Sequence, residues 1–130
     1  MNRKKRPVIA IIDDEPHIRN SLAQYLSEIG GYETIAFESG TEAIQWFEKN
    51  TTDLCIVDIK MPGIDGMETI THLKKLRPEL KYIIFTGSRF QNLTEIAVKF
   101  QIPEEFIIVK PLSAMEIFLD KINKILQNKQ

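Results

Sequence analysis

Five short apolar runs, each followed by a stretch with helical periodicity, constrain this chain more than any other feature. Val8-Ile9-Ala10-Ile11-Ile12 is apolar throughout, as expected of a strand buried on both faces. After it, Pro16 suits a first helical turn, and Ile18, Leu22, Tyr25, Leu26 and Ile29 share one helical face before Gly30-Gly31. Residues 32–37 read as a second strand. Ser39 and Glu42 have capping-box spacing ahead of a helix with Ala43, Ile44 and Phe47 on its inner face. Leu54-Cys55-Ile56-Val57 is a third strand. A loop with Pro62, Gly63 and Gly66 leads into a helix traced by Met67, Ile70, Leu73 and Leu76, which stops before Pro78. Tyr82-Ile83-Ile84-Phe85 and Phe106-Ile107-Ile108-Val109 read as the last two strands. Leu93, Ile96, Ala97 and Phe100 mark the helix between them. Ser113 and Glu116 have the same capping spacing ahead of a final helix, with Met115, Phe118, Leu119, Ile122, Ile125 and Leu126 on its core face. Strict strand–helix alternation implies an α/β fold with a parallel sheet covered on both faces.

In such sheets ligands bind beyond the carboxyl ends of the strands. Those ends carry Asp13-Asp14-Glu15, Asp58, Thr86-Gly87-Ser88 and Lys110-Pro111. Each alone is ordinary: an acidic loop, a turn aspartate, a turn, a helix start. Four of them on four strand ends of one short chain form a constellation. Three gathered carboxylates repel one another and raise one another's pKa unless a cation sits among them. Hard oxygen donors with retained waters suit Mg²⁺. A carboxylate nucleophile, a hydroxyl and an ammonium beside that metal suit phosphoryl transfer.

With 130 residues, one domain over 1–130 is expected, and 1–6 reads as a flexible basic tail. A formal net charge of −1 provides no global field toward nucleic acid or anionic membrane, so direct nucleic-acid binding is not expected. No apolar run approaches the ~20 residues a membrane span needs, and Val8 to Ile12 is too short for a signal-peptide core. The lone Cys55 lies in an apolar run and reads as a buried, inert thiol. A cytoplasmic location is expected. His17 and His72 read as surface residues and Trp46 as partly exposed.

Over essentially its whole length the sequence resembles the receiver domain of bacterial response regulators. The resemblance rests on Ile11-Ile12-Asp13-Asp14-Glu15-Pro16, on the loop from Val57-Asp58 through Met61-Pro62 to Asp65-Gly66, on Ile84-Phe85-Thr86-Gly87, and on Val109-Lys110-Pro111. It implies a flavodoxin-like (βα)5 fold, a doubly wound five-stranded parallel sheet in the order 2-1-3-4-5. It implies a two-component signalling switch rather than a turnover enzyme. Asp58 would accept a phosphoryl group from a sensor histidine kinase or histidine phosphotransfer protein. Asp13, Asp14, Asp58 and the backbone carbonyl of Lys60 would hold Mg²⁺, and Thr86 and Lys110 would bind the phosphoryl group. A cis Lys110-Pro111 peptide is implied, as is a downstream effector or a further output domain. The fourth helix, fifth strand and fifth helix would form the partner surface or a homodimer interface.

The sequence departs from the family at one point. Receivers usually carry Tyr or Phe three residues before the Lys of Lys-Pro, where Ile107 stands here, with Phe106 one residue earlier. The stretch from Thr86 to Lys110 is also longer than usual. A switching response centred on residues 87–100 is therefore expected. Three rival readings fit the residues less well. A haloacid-dehalogenase-like phosphatase or phosphotransferase would need an acidic residue where Lys60 stands. A flavodoxin-like flavin binder would need hydroxyls and glycines where Asp13-Asp14-Glu15 stand. A degenerate receiver acting only as an interaction module would have no need of the acidic set.

Overall fold

Residue patterning becomes five parallel strands and five helices in the computed structural model, which describes residues 6–61, 63–87, 93–110 and 114–127. The elements run β1 (Val8–Ile12), α1 (Pro16–Glu28), β2 (Glu33–Phe37), α2 (Gly40–Phe47), β3 (Leu54–Val57), α3 (Gly66–Leu76), β4 (Lys81–Thr86), α4 (Leu93–Phe100), β5 (Ile107–Val109) and α5 (Glu116–Gln127). The sheet order is β2-β1-β3-β4-β5, all parallel, as the resemblance implied. The basic tail through Lys5, the Pro62 position, Ser88 to Asn92, the Lys110-Pro111 bond and the Ser113 cap lie wholly or partly outside the described residues.

The centre of the sheet is buried on both faces. Ile9, Ala10, Ile11 and Ile12 have no exposed surface, and β3 is buried along its length. Phe85 of β4 meets Phe118 of α5 edge-on at 4.9 Å. Tyr82, three residues earlier and so on the opposite face, lies beneath the ammonium of Lys74 in α3. Helices therefore cover both faces. At the edge, β2 exposes Glu33 and Ala36, so burial on both faces holds only for the inner strands.

Helix starts follow local chemistry. The Ser39 hydroxyl accepts from the Glu42 amide at 3.1 Å, as the spacing predicted, but the Glu42 carboxylate reaches back to the amide of Glu38 rather than of Ser39. Asp65 caps α3 by accepting from the Glu68 amide at 2.9 Å. In α1, Pro16 occupies the first turn and Glu15 the cap position, yet the Glu15 side chain makes no capping bond.

Two boundaries differ from the sequence reading. Ile29 follows the end of α1 and is 65% exposed instead of joining the inner face. Phe106 is not in the fifth strand: it ends a 3-10 turn, Glu104–Phe106, that Pro103 initiates. Its ring is buried, with the Lys121 ammonium 5.9 Å from its centroid. Ile107 is the first residue of β5, half-buried and opposite Ile84.

Candidate functional site

Strand order decides which side chains meet. The chain leaves β1 toward β2 on one side and returns to β3 on the other, which opens a crevice beyond the carboxyl ends of β1 and β3. Asp13 is the first residue past β1 and Asp58 the first past β3. Their backbones continue the ladder: the Asp13 amide donates to the Phe37 carbonyl at 3.1 Å and the Asp58 amide to the Ile12 carbonyl at 3.0 Å. Both carboxylates thus sit on the rigid centre of the sheet.

Local bonds aim them. One oxygen of Asp13, Oδ1, accepts from the Glu15 amide at 2.9 Å, and Arg19 donates to the Asp13 carbonyl at 2.8 Å. Asp58 Oδ1 accepts from the Lys60 amide at 3.1 Å. Gly66 lets the start of α3 close on this turn. Its amide donates to the Ile59 carbonyl at 2.9 Å, and a Cβ there would press into the Asp58 carbonyl and the Ile59 backbone.

Asp13, Asp14 and Asp58 each bring an oxygen to within 4.8 Å of the others. Asp13 and Asp58 are buried and Asp14 is half-exposed. Into this cluster reaches Lys110, the first residue past β5, whose amide donates to the Thr86 carbonyl at 2.9 Å. Its ammonium lies 2.9 Å from Asp13 Oδ2, 3.2 Å from Asp58 Oδ2 and 2.7 Å from Glu15 Oε1. Thr86, fully buried, is the last residue of β4 and pairs with Val109.

Electrostatics follow from burial. Desolvation, the largest influence, raises the Asp58 carboxyl above its usual range; Lys110 opposes this and Asp13 adds to it. Desolvation likewise raises Asp13 against the hydrogen bonds from Glu15 and Lys110. Burial alone would lower the Lys110 ammonium, but its bonds to Glu15 and Asp13 and the charge of Asp58 hold it above its usual value. Three carboxylates and one lysine leave an excess of negative charge, which favours a cation with hard-oxygen preference.

The sequence-predicted Asp13, Asp14, Asp58 and Lys110 are together, with Thr86 on the adjoining strand end. Lys60 contributes its backbone amide to Asp58, and its side chain is exposed. Glu15 was not among the predicted site residues. Its available signal was a cap position before Pro16 whose side chain has no helix amide to serve. His17 and His72 are exposed, and Trp46 is half-buried against Phe37 and Phe47. Cys55 is fully buried, and desolvation pushes its thiol far up, so it is inert.

A parallel sheet with this order and an acidic cluster at its switch point defines the class, a doubly wound α/β domain with its site beyond the carboxyl ends of the strands. The family model of the response regulator receiver domain matches residues 9–122, and the chain belongs to that family. It is 29% identical over 119 residues to the chemotaxis protein CheY of Bacillus subtilis, covering 91% of this chain and 96% of CheY. It is 37% identical over 79 residues to the transcriptional activator protein ExaE of Pseudomonas putida, a match covering 60% of this chain but 37% of ExaE. The match to the C4-dicarboxylate transport regulator DctD of Rhizobium meliloti covers only 17% of that protein. Among solved structures, a CheY-like receiver domain protein from Methanospirillum hungatei superposes with a TM-score of 0.83 at 28% identity, covering 95% of this chain and 96% of that one. A receiver domain protein from Clostridium thermocellum gives 0.79 at 30% identity, with the same coverage. The acidic cluster fits the phosphoacceptor site of this two-component family. No helix among the described residues is long and apolar enough to cross a membrane.

Proposed function

We propose that this domain is a phosphorylation-driven switch that accepts one phosphoryl group on Asp58. The observation that carries the reading is the meeting of Asp13, Asp14 and Asp58 within 4.8 Å of one another, beside a lysine bonded to both Asp13 and Asp58. In the reaction a carboxylate oxygen of Asp58 forms a bond to phosphorus. The donor's N–P bond (phosphohistidine) or O–P bond (acetyl phosphate) breaks, and its electrons leave with the donor. Lys110 neutralises one phosphoryl oxygen, and the Thr86 hydroxyl donates to another.

The donor set suits Mg²⁺. All its members are hard oxygens, two are buried with raised pKa, and their number leaves room for several waters. Asp13, Asp14, Asp58 and the Lys60 carbonyl would hold the ion, which when bound supplies positive charge to the phosphoryl oxygens. The phosphoryl group stays on Asp58 as a signal, so the domain acts as a switch that catalyses its own transfer and hydrolysis rather than as a turnover enzyme. A cytoplasmic sensor histidine kinase or phosphotransfer protein fits as donor. An effector or a further output domain fits as reader, on the surface of α4, β5 and α5. That surface would also serve a homodimer.

Incubation with acetyl phosphate and Mg²⁺ is expected to add one acid-stable, base-labile phosphoryl group, read by intact mass. The label is lost in Asp58→Asn, and Mg²⁺-dependent labelling is lost in Asp14→Ala. Full labelling of Asp58→Asn would overturn the assignment.

A further inference from the structure

Asp14 differs from its two companions in the cluster in how it is held. Asp13 and Asp58 each have an amide in the strand ladder and a carboxylate oxygen bonded to a backbone amide. Among the described residues, Asp14 makes no hydrogen bond through its backbone or its carboxylate, and it is half-exposed. Its carboxylate still brings an oxygen within 4.8 Å of those of Asp13 and Asp58. The place of Asp14 is therefore set by the two peptide groups that flank it.

Each of those peptide groups has one tether. The following group is held by its N–H, that of Glu15, which donates to Asp13 Oδ1 at 2.9 Å. The preceding group is held by its carbonyl, that of Asp13, which accepts from Arg19 Nη1 at 2.8 Å. Arg19 is itself anchored. Its amide donates to the Glu15 carbonyl at 2.9 Å, in the first turn of a helix whose Leu22 and Leu26 are buried in the core. The guanidinium thus ties the end of β1 to a packed helix across the turn that carries Asp14, through a charge-assisted bond of the stronger kind. Its charge alone works the other way, because one cation near the cluster repels another. Fixing the turn and adding charge therefore have opposite effects on metal affinity.

We propose that Arg19 is a positioning residue for the metal site. By holding the Asp13 carbonyl it fixes the Asp13–Asp14 peptide and presents the Asp14 carboxylate to a cation shared with Asp13 and Asp58. Without that bond the Asp14 turn has to be ordered as the ion binds, and the ordering cost lowers the affinity. The inference rests on the reading of the cluster as a Mg²⁺ site.

Mg²⁺ titrated into the ¹⁵N-labelled domain, followed by amide shifts, tests it in wild type, Arg19→Met and Arg19→Lys; the same spectra show that each variant is folded. The methionine keeps an unbranched stem without charge or donor. The lysine keeps both, and it can serve here because the contact is one N–H bond rather than a bidentate fork. Loss of an outer partner that orients a ligand lowers metal affinity by about 10-fold or more. Arg19→Met is expected to bind Mg²⁺ more weakly by that factor, and Arg19→Lys to stay near the wild-type value. An arginine acting through charge alone would give the reverse, with Arg19→Met tighter than wild type. That result overturns the proposal, as does unchanged affinity in Arg19→Met or equal weakening in both variants. A wild-type domain that binds no Mg²⁺ refutes the reading of the cluster itself, whatever the variants do.

Discussion

Replacing Asp58 by Asn is expected to stabilise the metal-free domain while abolishing its phosphorylation. Asn keeps the shape of the side chain and an oxygen for the Lys60 amide, so the packing stays intact. The charge balance changes. At an effective dielectric of about 20, two carboxylate charges at the 4.8 Å limit of this cluster repel by about 3.5 kcal/mol, and Asp58 faces two neighbours within that limit. The Lys110 ammonium at 3.2 Å returns about 5 kcal/mol. The repulsion exceeds the attraction by about 2 kcal/mol, and the half-exposure of Asp14 screens part of it. A gain of about 1–2 kcal/mol is expected from urea unfolding at neutral pH, low salt and excess chelator, with m unchanged. The sign of its pH dependence follows from the raised folded pKa of Asp58. Between the unfolded value of 3.8 and the higher folded value, the folded state binds more protons, so wild-type stability falls as pH rises through that window. The advantage of Asn is therefore full above the folded pKa, shrinks as pH falls through it and is gone below about 3.8. Saturating Mg²⁺ is expected to narrow it too, by stabilising wild type more. A variant less stable than wild type at neutral pH, or an advantage that persists undiminished into acid, would refute the reasoning.

Two further substitutions test the scaffold. Gly66→Ala places a methyl group against the Asp58 carbonyl and the Ile59 backbone. Overpacking of this kind costs about 1–3 kcal/mol, and labelling by acetyl phosphate is expected to slow because the Asp58 turn must shift; wild-type stability and rate would show that the close approach is unimportant. Gln101 sits just past α4 with a φ of 58°, and the next amide, of Ile102, closes the helix onto the Ala97 carbonyl at 2.9 Å. Gln101→Gly removes a left-handed penalty of about 1–2 kcal/mol and adds chain entropy worth about 0.5–1 kcal/mol, so thermal or urea unfolding is expected to show a net gain of about 0.5–1 kcal/mol; a loss would count against the conformation.

Most of the fold and the gathering of Asp13, Asp14, Asp58 and Lys110 at one sheet edge were legible because buried parallel strands leave continuous apolar runs and their ends are easily counted. Misreadings fell where one pattern fits two structures. Phe106 extends an apolar run that is equally compatible with a strand or a 3-10 turn, and only Pro103-Glu104-Glu105 before it signals the turn. Ile29 keeps helical spacing with Leu22 and Leu26 although α1 has already ended at Glu28. The exposed positions of β2 follow from its place at the sheet edge, which no local pattern encodes. Glu15 was missed for a related reason. Its partner Lys110 stands 95 residues away, and only the order β1-β3-β4-β5 brings the first and last strand ends within reach of each other.

Stability and function are separated along the strands of this sheet. From Ile9 to Ile12 and from Leu54 to Val57, every side chain is buried among apolar neighbours, and burial at about 25 cal/mol per Å² is the main force holding the domain. One residue further along, at Asp13 and Asp58, burial works against the charged forms, and only Lys110 among the described bonding partners is a charged group that compensates both. The two arrangements are linked by the ladder itself, since the amides of Asp13 and Asp58 are bonded to strand carbonyls. Relief of the charge by moving these residues into water would require breaking those bonds. The core thus holds the carboxylates in a position they would not adopt alone, and a cation lowers their energy without reorganising the fold. Lys110 is anchored less centrally, on a three-residue strand at the sheet edge, and shares its ammonium with an exposed glutamate. The carboxylates are thus fixed by the centre of the sheet, while the charge that offsets them comes from its edge.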